Sequence, residues 1–299
     1  MEIELKSKAI EFLAQQLKNE SLSLFLGAGI SKSFDLDNWL SLLNKLNADP
    51  KIGLPELPDS KAHSADDFQN AANAIVRKLS GNEKDLIELI SNHLYDGLDL
   101  ESKSLDIFKH KQLISLSSLI MGNKRGRVKN VFTLNYDSLL EWYLKSFGFT
   151  VNTISELPYF STGHDVEIFH PHGYIPHKVM GQASSKEIIL SKSQADKRLG
   201  EVDSPWSSLV KHYLSKNVFL FIGMSEATAG DRMISPLLRN VRGKVDRELG
   251  IWIFKHDVKE SVKDDLRDLK IAPLILKDDD EIPNFLLSIS RKAMELSIA

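Results

Sequence analysis

The spacing of apolar positions changes character along the chain. Ile3, Leu5, Ile10, Phe12, Leu13 and Leu17 recur at roughly helical spacing and predict an amino-terminal helix. Directly after it, "LSLFL" at Leu22–Leu26 is a short apolar run that reads as a buried strand, and it stops in the bare turn "GAGIS". Helical spacing then resumes. Trp39, Leu42, Leu43 and Leu46 form one face, and Phe68, Ala72, Ile75, Val76 and Leu79 a second. Leu86, Ile87, Leu89, Ile90 and Leu94 form a third, and Leu113, Leu116 and Ile120 continue the theme. Between the first two lies "DPKIGLPELPDS", a loop whose three prolines break any regular element. Residues 36–125 therefore read as a helical insertion, or small subdomain, within a single domain spanning 1–299.

Strand-like runs return near residue 127. "VKNVFTL", "VEIFHPH", "KEIILS", "NVFLFIG", "GIWIFK" and "IAPLILK" are short and rich in β-branched and aromatic residues, with helical segments between several of them. "EIPNFLLSISRKAMEL" reads as a closing helix. Strands alternating with helices predict an α/β fold: a Rossmann-like, mostly parallel sheet with helices on both faces.

Composition narrows the field. The 299 residues are 42% hydrophobic and 26% charged, and the formal net charge of −3 supplies no global attraction for nucleic acid. Accordingly "GNKRGRVKN" at 122–130 reads as a solvated loop, and "DDDE" at 278–281 as a surface turn. With no cysteine, disulfides, thiolate zinc modules and cysteine nucleophiles are excluded. The start "MEIELKSKAIEF" has neither a basic lead nor an apolar signal core, and no apolar run approaches the ~20 residues of a membrane span. A cytoplasmic protein without membrane contact is the expectation.

Chemistry gathers where strands end. Ligands of open α/β sheets bind outside the carboxyl ends of the strands, and four runs here end in small or reactive residues: "LFLGAGIS", "VFTLNYD", "EIFHPHG" and "FLFIGMS". Gly27 and Gly29 suit either a tight turn or a close approach to a pyrophosphate. Lys32 stands where the usual dinucleotide fingerprint has its third glycine, so this is not a standard Rossmann loop. Asp137 precedes "SLLEWYLKSFG" and fits a helix cap. Asn135, an amide at the tip of a buried strand, suits holding a water or a sugar hydroxyl. His164, His170, His172 and His177 invite a metal reading, but His170 and His172 would alternate on a strand and face opposite ways. No cysteine or well-spaced carboxylate joins them, so no metal is expected. One histidine as general base fits better, with His170 as a satisfied core residue.

Together "GAGIS", "TLNYD", "HPHG" and "FIGMS", in this order and spacing, resemble the SIR2 (sirtuin-like) superfamily over residues 20–290. The resemblance implies a Rossmann-like domain with a smaller helical module and NAD+ as the ligand. Protein-deacylating sirtuins usually carry four zinc-binding cysteines and a "GIPDFR"-like segment. This chain has no cysteine and reads "SKSFDLDNW" there, similar to the SIR2 modules of bacterial antiphage systems that hydrolyse NAD+. "SEATAGD" also delays Asp231 relative to the aspartate that relatives place soon after the serine.

Carried over by residue, the resemblance implies that Gly27, Ala28, Gly29 and Ser31 cradle the pyrophosphate through their N–H groups. Asn135 would hold the nicotinamide-side ribose or the attacking water, and His172 would be the base. Thr133 and Asp137 would support the site, and Gly223 and Ser225 would contact the adenosine half. The implied activity is NAD+ glycohydrolysis, controlled by self-assembly or by a separate activating partner. The alternatives are a zinc-free NAD-dependent deacylase and a non-catalytic module that binds NAD+ or ADP-ribose.

Overall fold

The computed structural model describes residues 2–34, 36, 39–53, 65–79, 82–102, 106–122, 124–161, 163–201, 204–229, 234–243, 246–278 and 280–298. In chain order its strands are β1 (Leu22–Leu26), β2 (Asn130–Thr133), β3 (Val151–Ile154), β4 (Val166–Phe169), β5 (Val218–Ile222), β6 (Gly250–Phe254) and β7 (Ile271–Ile275). The helices before β2 are α1 (Lys6–Lys18), α2 (Trp39–Ala48), α3 (Ala65–Lys78), α4 (Glu83–Leu94) and α5 (Lys111–Ile120). Those after it are α6 (Leu139–Ser146), α7 (Lys192–Ala195), α8 (Pro205–Lys216), α9 (Glu226–Ala229), α10 (Ile234–Arg242), α11 (Glu260–Asp268) and α12 (Glu281–Ile298).

The strands form one seven-stranded sheet in the order β3-β4-β2-β1-β5-β6-β7, and every neighbouring pair is parallel. The expected α/β class is therefore observed. Every residue of β1, β5 and β6 is buried, which is why these strands read as unbroken apolar runs rather than alternating ones. The two faces differ in chemistry. One carries Leu22, Leu24, Leu26, Val131, Ile168, Leu220, Ile222, Ile251 and Ile253 against aliphatic residues of α1, α5, α6 and α12. The other carries Phe25, Phe132, Phe169, Phe219, Phe221 and Trp252 against α8, α10 and α11.

On the aromatic face five adjacent strands are locked in register. Phe169 pairs with Phe132, Phe132 with Phe25, Phe25 with Phe221, and Phe221 with Trp252. Ring centroids within this ladder are 4.5 Å apart for Phe132–Phe169, 5.5 Å for Phe25–Phe221 and 4.8 Å for Phe221–Trp252. Such pairs add ~0.5–1.5 kcal/mol each beyond the area they bury. The ladder also has a geometric effect. Ala28, Asn135, His172 and Met224 each stand three residues beyond their ladder aromatic, so the chemistry of four strands is delivered to one rim.

Two expectations are corrected. "KEIILS" is not a strand: residues 187–190 are irregular, although Ile188, Ile189 and Leu190 are buried. Burial, not pairing, is what that apolar run required. The unforeseen strand is β3, "VNTI", whose two central polar residues are only half-buried because it sits at the sheet edge. Between β1 and β2 the described residues contain helices and no strand. That stretch divides: α2 packs on α3 and α4, whereas α5 packs on α12 and belongs to the layer covering the sheet. The prolines of the 49–60 loop at 55 and 58 lie outside the described residues. No helix among the described residues is long and apolar enough to cross a membrane.

Candidate functional site

The strand ends that carry the motifs belong to β4, β2, β1 and β5, which are contiguous in the sheet. At their centre the turns after β1 and β5 close on each other. Gly27 N–H donates to Ile222 O and Gly29 N–H to Gly223 O, both at 2.9 Å. A Cβ on Gly27 would lie 2.7 Å from Gly223 O, and one on Gly29 would lie 2.8 Å from Gly223 Cα. Gly223 itself has φ +75°, a left-handed conformation that favours glycine. The bareness of "GAGIS" thus has an immediate cause in backbone-to-backbone packing. The N–H groups of Gly27 and Gly29 are used in that packing, which corrects the expectation that both donate to a pyrophosphate.

Beside this packing runs a directed hydrogen-bond chain. Asn135 Nδ2 donates to Gly27 O at 3.3 Å and to Ser31 Oγ at 3.2 Å, and Ser31 Oγ donates to Asp137 Oδ2 at 2.8 Å. The Gly27 carbonyl can only accept, which fixes the orientation of the amide. Asn135 Oδ1 has no partner among the described residues, leaving an acceptor for a hydroxyl or a water. Thr133 Oγ1 accepts from Asn135 N at 3.1 Å and shapes the turn out of β2. The N-cap position of α6 is Ser138, which makes no side-chain cap bond. Asp137, one residue earlier, accepts from the first helical N–H, Leu139 N, at 3.1 Å through Oδ1, while its other oxygen serves Ser31. Burial pushes the Asp137 carboxyl upward, only partly offset by the Ser31 and Leu139 donors.

The histidines fall into distinct environments. β4 ends at Phe169, so His170 and His172 lie in the following turn and not on a strand, which corrects the geometric premise drawn from their alternation. His170 is fully buried with both ring nitrogens engaged: Nδ1 meets Asn135 O at 2.9 Å and Nε2 meets Glu141 Oε1 at 2.6 Å. Nδ1 must carry hydrogen, because a carbonyl only accepts. Burial alone would lower its pKa, but the Glu141 carboxylate and the Asn135 carbonyl outweigh it, and the balance is a raised value. His172 is different. It is 8% exposed, and its Nε2 is buried without a hydrogen-bond partner. Burial first, then the Arg198 guanidinium, push its pKa down to about 4. The irregular 187–190 segment closes over it: Ile189 N donates to His172 O at 2.8 Å, and Tyr136 OH donates to Ile189 O at 2.6 Å.

Hydrogen bonds and backbone packing therefore bring Gly27, Gly29, Ser31, Thr133, Asn135, Asp137 and Gly223 together. Ala28 opens the short 3-10 turn Ala28–Phe34 on the same rim. Ser225 stays outside this network: it is exposed and bonds Thr228 Oγ1 at 3.1 Å at the start of α9. Asp231 lies outside the described residues. His164 is in the loop before β4, at the other end of that strand. Among the described residues no group of three or more His, Cys, Asp or Glu is arranged to hold a metal ion. Sequence reasoning missed Glu141, whose signal was a lone carboxylate inside the apolar run "LLEWYL" and four residues after Asp137. It also missed Arg198, which salt-bridges Glu187 at 2.7 Å.

Chemically the rim offers a buried imidazole with a free ring nitrogen and an oriented amide with a spare acceptor, beside glycine turns packed backbone to backbone. A free imidazole nitrogen is the kind of group that takes a proton from water or a hydroxyl near neutral pH. No curated protein is matched by the chain. Residues 129–274, which run from the residue before β2 almost to the end of β7, match the family model of the SIR2-like domain. The match covers just under half of the chain, and the all-parallel Rossmann-like sheet beneath this rim is consistent with that likeness to the SIR2-like domain.

Proposed function

We propose that the protein is an NAD+ glycohydrolase that cleaves the nicotinamide–ribose bond to give nicotinamide and ADP-ribose, depleting NAD+ in antiphage defence. The observation that carries this reading is the buried, unpartnered Nε2 of His172 on the rim that also holds Asn135 and the glycine turns. In the reaction the C1′–N bond breaks and nicotinamide leaves as a neutral molecule, so no acid is needed. A water oxygen bonds C1′, and the water's proton passes to His172. The transition state is oxocarbenium-like, as in other glycosidic cleavages. Asn135 Oδ1 accepts from the water or from a ribose hydroxyl, while its fixed Nδ2 keeps the group aimed. The phosphates of a bound dinucleotide would counter the effect of Arg198 and make the imidazole a stronger base. Cytoplasmic operation and control by self-assembly or an activating partner belong to the same proposal.

The test is nicotinamide release from NAD+, with and without an acyl-lysine peptide. Release without peptide is expected. His172→Ala should lower kcat by ~10²–10⁴-fold, as loss of a general base does, and Asn135→Ala should also be severely impaired. Release only when peptide is present would instead identify a deacylase. Tight NAD+ binding with no turnover, also after addition of cell extract to supply an activator, would identify a binding module.

A further inference from the structure

We infer that Tyr95, at the end of α4, is a positioning residue through which the helical module α2–α4 holds the two catalytic loops in register. This rests on the activity proposed above and adds how that site is controlled. The Tyr95 hydroxyl accepts from Ser138 N–H at 2.9 Å and donates to Ile175 O at 2.5 Å. Ser138 stands three residues after Asn135, and Ile175 three residues after His172. One hydroxyl thus spans the loop after β2 and the loop after β4. The cluster is closed by His177, whose N–H donates to Ser138 Oγ at 2.9 Å and whose ring meets that of Tyr95 edge-on at 5.1 Å. Ile175 N also donates to Tyr136 O at 2.8 Å. Ser138 and Ile175 are fully buried and His177 nearly so, leaving water little access to replace the hydroxyl.

The module has the rigidity to transmit position. Helix α2 packs on α3 and α4, and the loop after α2 is tied to α4 by Asp49 and His93 at 3.0 Å. A ligand or partner that tilts α2–α4 moves the hydroxyl, and with it the relative setting of Asn135 and His172. The coupling is bistable in character. The hydroxyl either completes both hydrogen bonds or leaves the N–H of buried Ser138 and the carbonyl of buried Ile175 unsatisfied.

Tyr95→Phe removes the hydroxyl while keeping the ring against His177. The control is Tyr213→Phe, which removes a phenol hydroxyl on the aromatic face, where it meets Tyr159 OH at 3.3 Å. Hydrogen exchange and nicotinamide-release kinetics are measured on the full chain. For Tyr95→Phe, exchange in 134–140 and 172–178 should quicken on the order of tenfold, with exchange in β5 and β6 unchanged. Its kcat should fall on the order of tenfold with KM within about twofold. The control should show neither effect. Unchanged exchange in the two loops would overturn the proposal. So would a uniform rise across the sheet, which marks a merely structural role, or faster loop exchange with wild-type kcat. If wild-type protein releases no nicotinamide, the loop-specific exchange change still supports the lock, and the failure falls on the activity reading.

Discussion

At the residue scale, the contrast between His170 and His172 carries the chemical argument. They are two positions apart and both deeply buried, yet one has both nitrogens bonded and the other has an orphan Nε2. A buried imidazole held neutral is a stability liability in acid, and the sign is definite. The folded pKa of His172 is about 4, below the unfolded ~6.5, so the unfolded chain binds more protons between those values. Stability is therefore lost as pH falls from ~6.5 toward 4, by roughly 3 kcal/mol for this group. Thermal unfolding of wild type and His172→Gln across this range checks it: the wild type should lose Tm more steeply than the variant. Parallel curves would contradict the assigned environment.

At the element scale, α6 does more than cover the sheet. Its first turn carries Glu141 to His170, and Asp137, two residues before the helix, accepts its first N–H and anchors Ser31. Glu141→Ala should cost about 3–5 kcal/mol, because it strips the fully buried Glu141–His170 pair of one partner. Glu141→Gln should cost clearly less, since the amide can donate to a neutral Nε2 while Nδ1 still serves Asn135 O. Urea midpoints of the two variants decide this, and equal losses would show that the pair contributes only packing. The glycine turns after β1 and β5 work at the same scale, as two strand exits that fit only because neither carries a side chain.

At the scale of the whole molecule, the motif-bearing strand ends line up because five strands agree on one register. The Phe169–Phe132–Phe25–Phe221–Trp252 ladder crosses the sheet beneath the rim. Phe132→Ala removes a fully buried ring near its centre and should lower stability by about 3–5 kcal/mol. Phe160→Ala, at a ring 85% exposed, should stay within about 0.5 kcal/mol. Chemical denaturation of both variants tests this, and a Phe132 effect no larger than the Phe160 effect would remove the ladder from the account. Much of this was legible beforehand. The strand ends with chemistry were visible as small or polar residues terminating apolar runs, and the helices as periodic stripes. Residues 187–190 were misread because burial without pairing leaves the same apolar signature as a buried strand. Edge strand β3 was missed because its half-exposed centre lacks that signature.

The sequence by itself determined the α/β class, most of the elements and the residue types at each strand end, because backbone period and turn chemistry are local properties. Only the tertiary structure decided which of those ends are neighbours. Ser31 and Asp137 are 106 residues apart in sequence, and their hydrogen bond depends on parallel pairing and register that no local pattern encodes. The same holds for the Glu141 carboxylate on His170 and the Tyr95 hydroxyl between two loops. Each is a buried polar group, and what it does follows from the partner that folding places beside it.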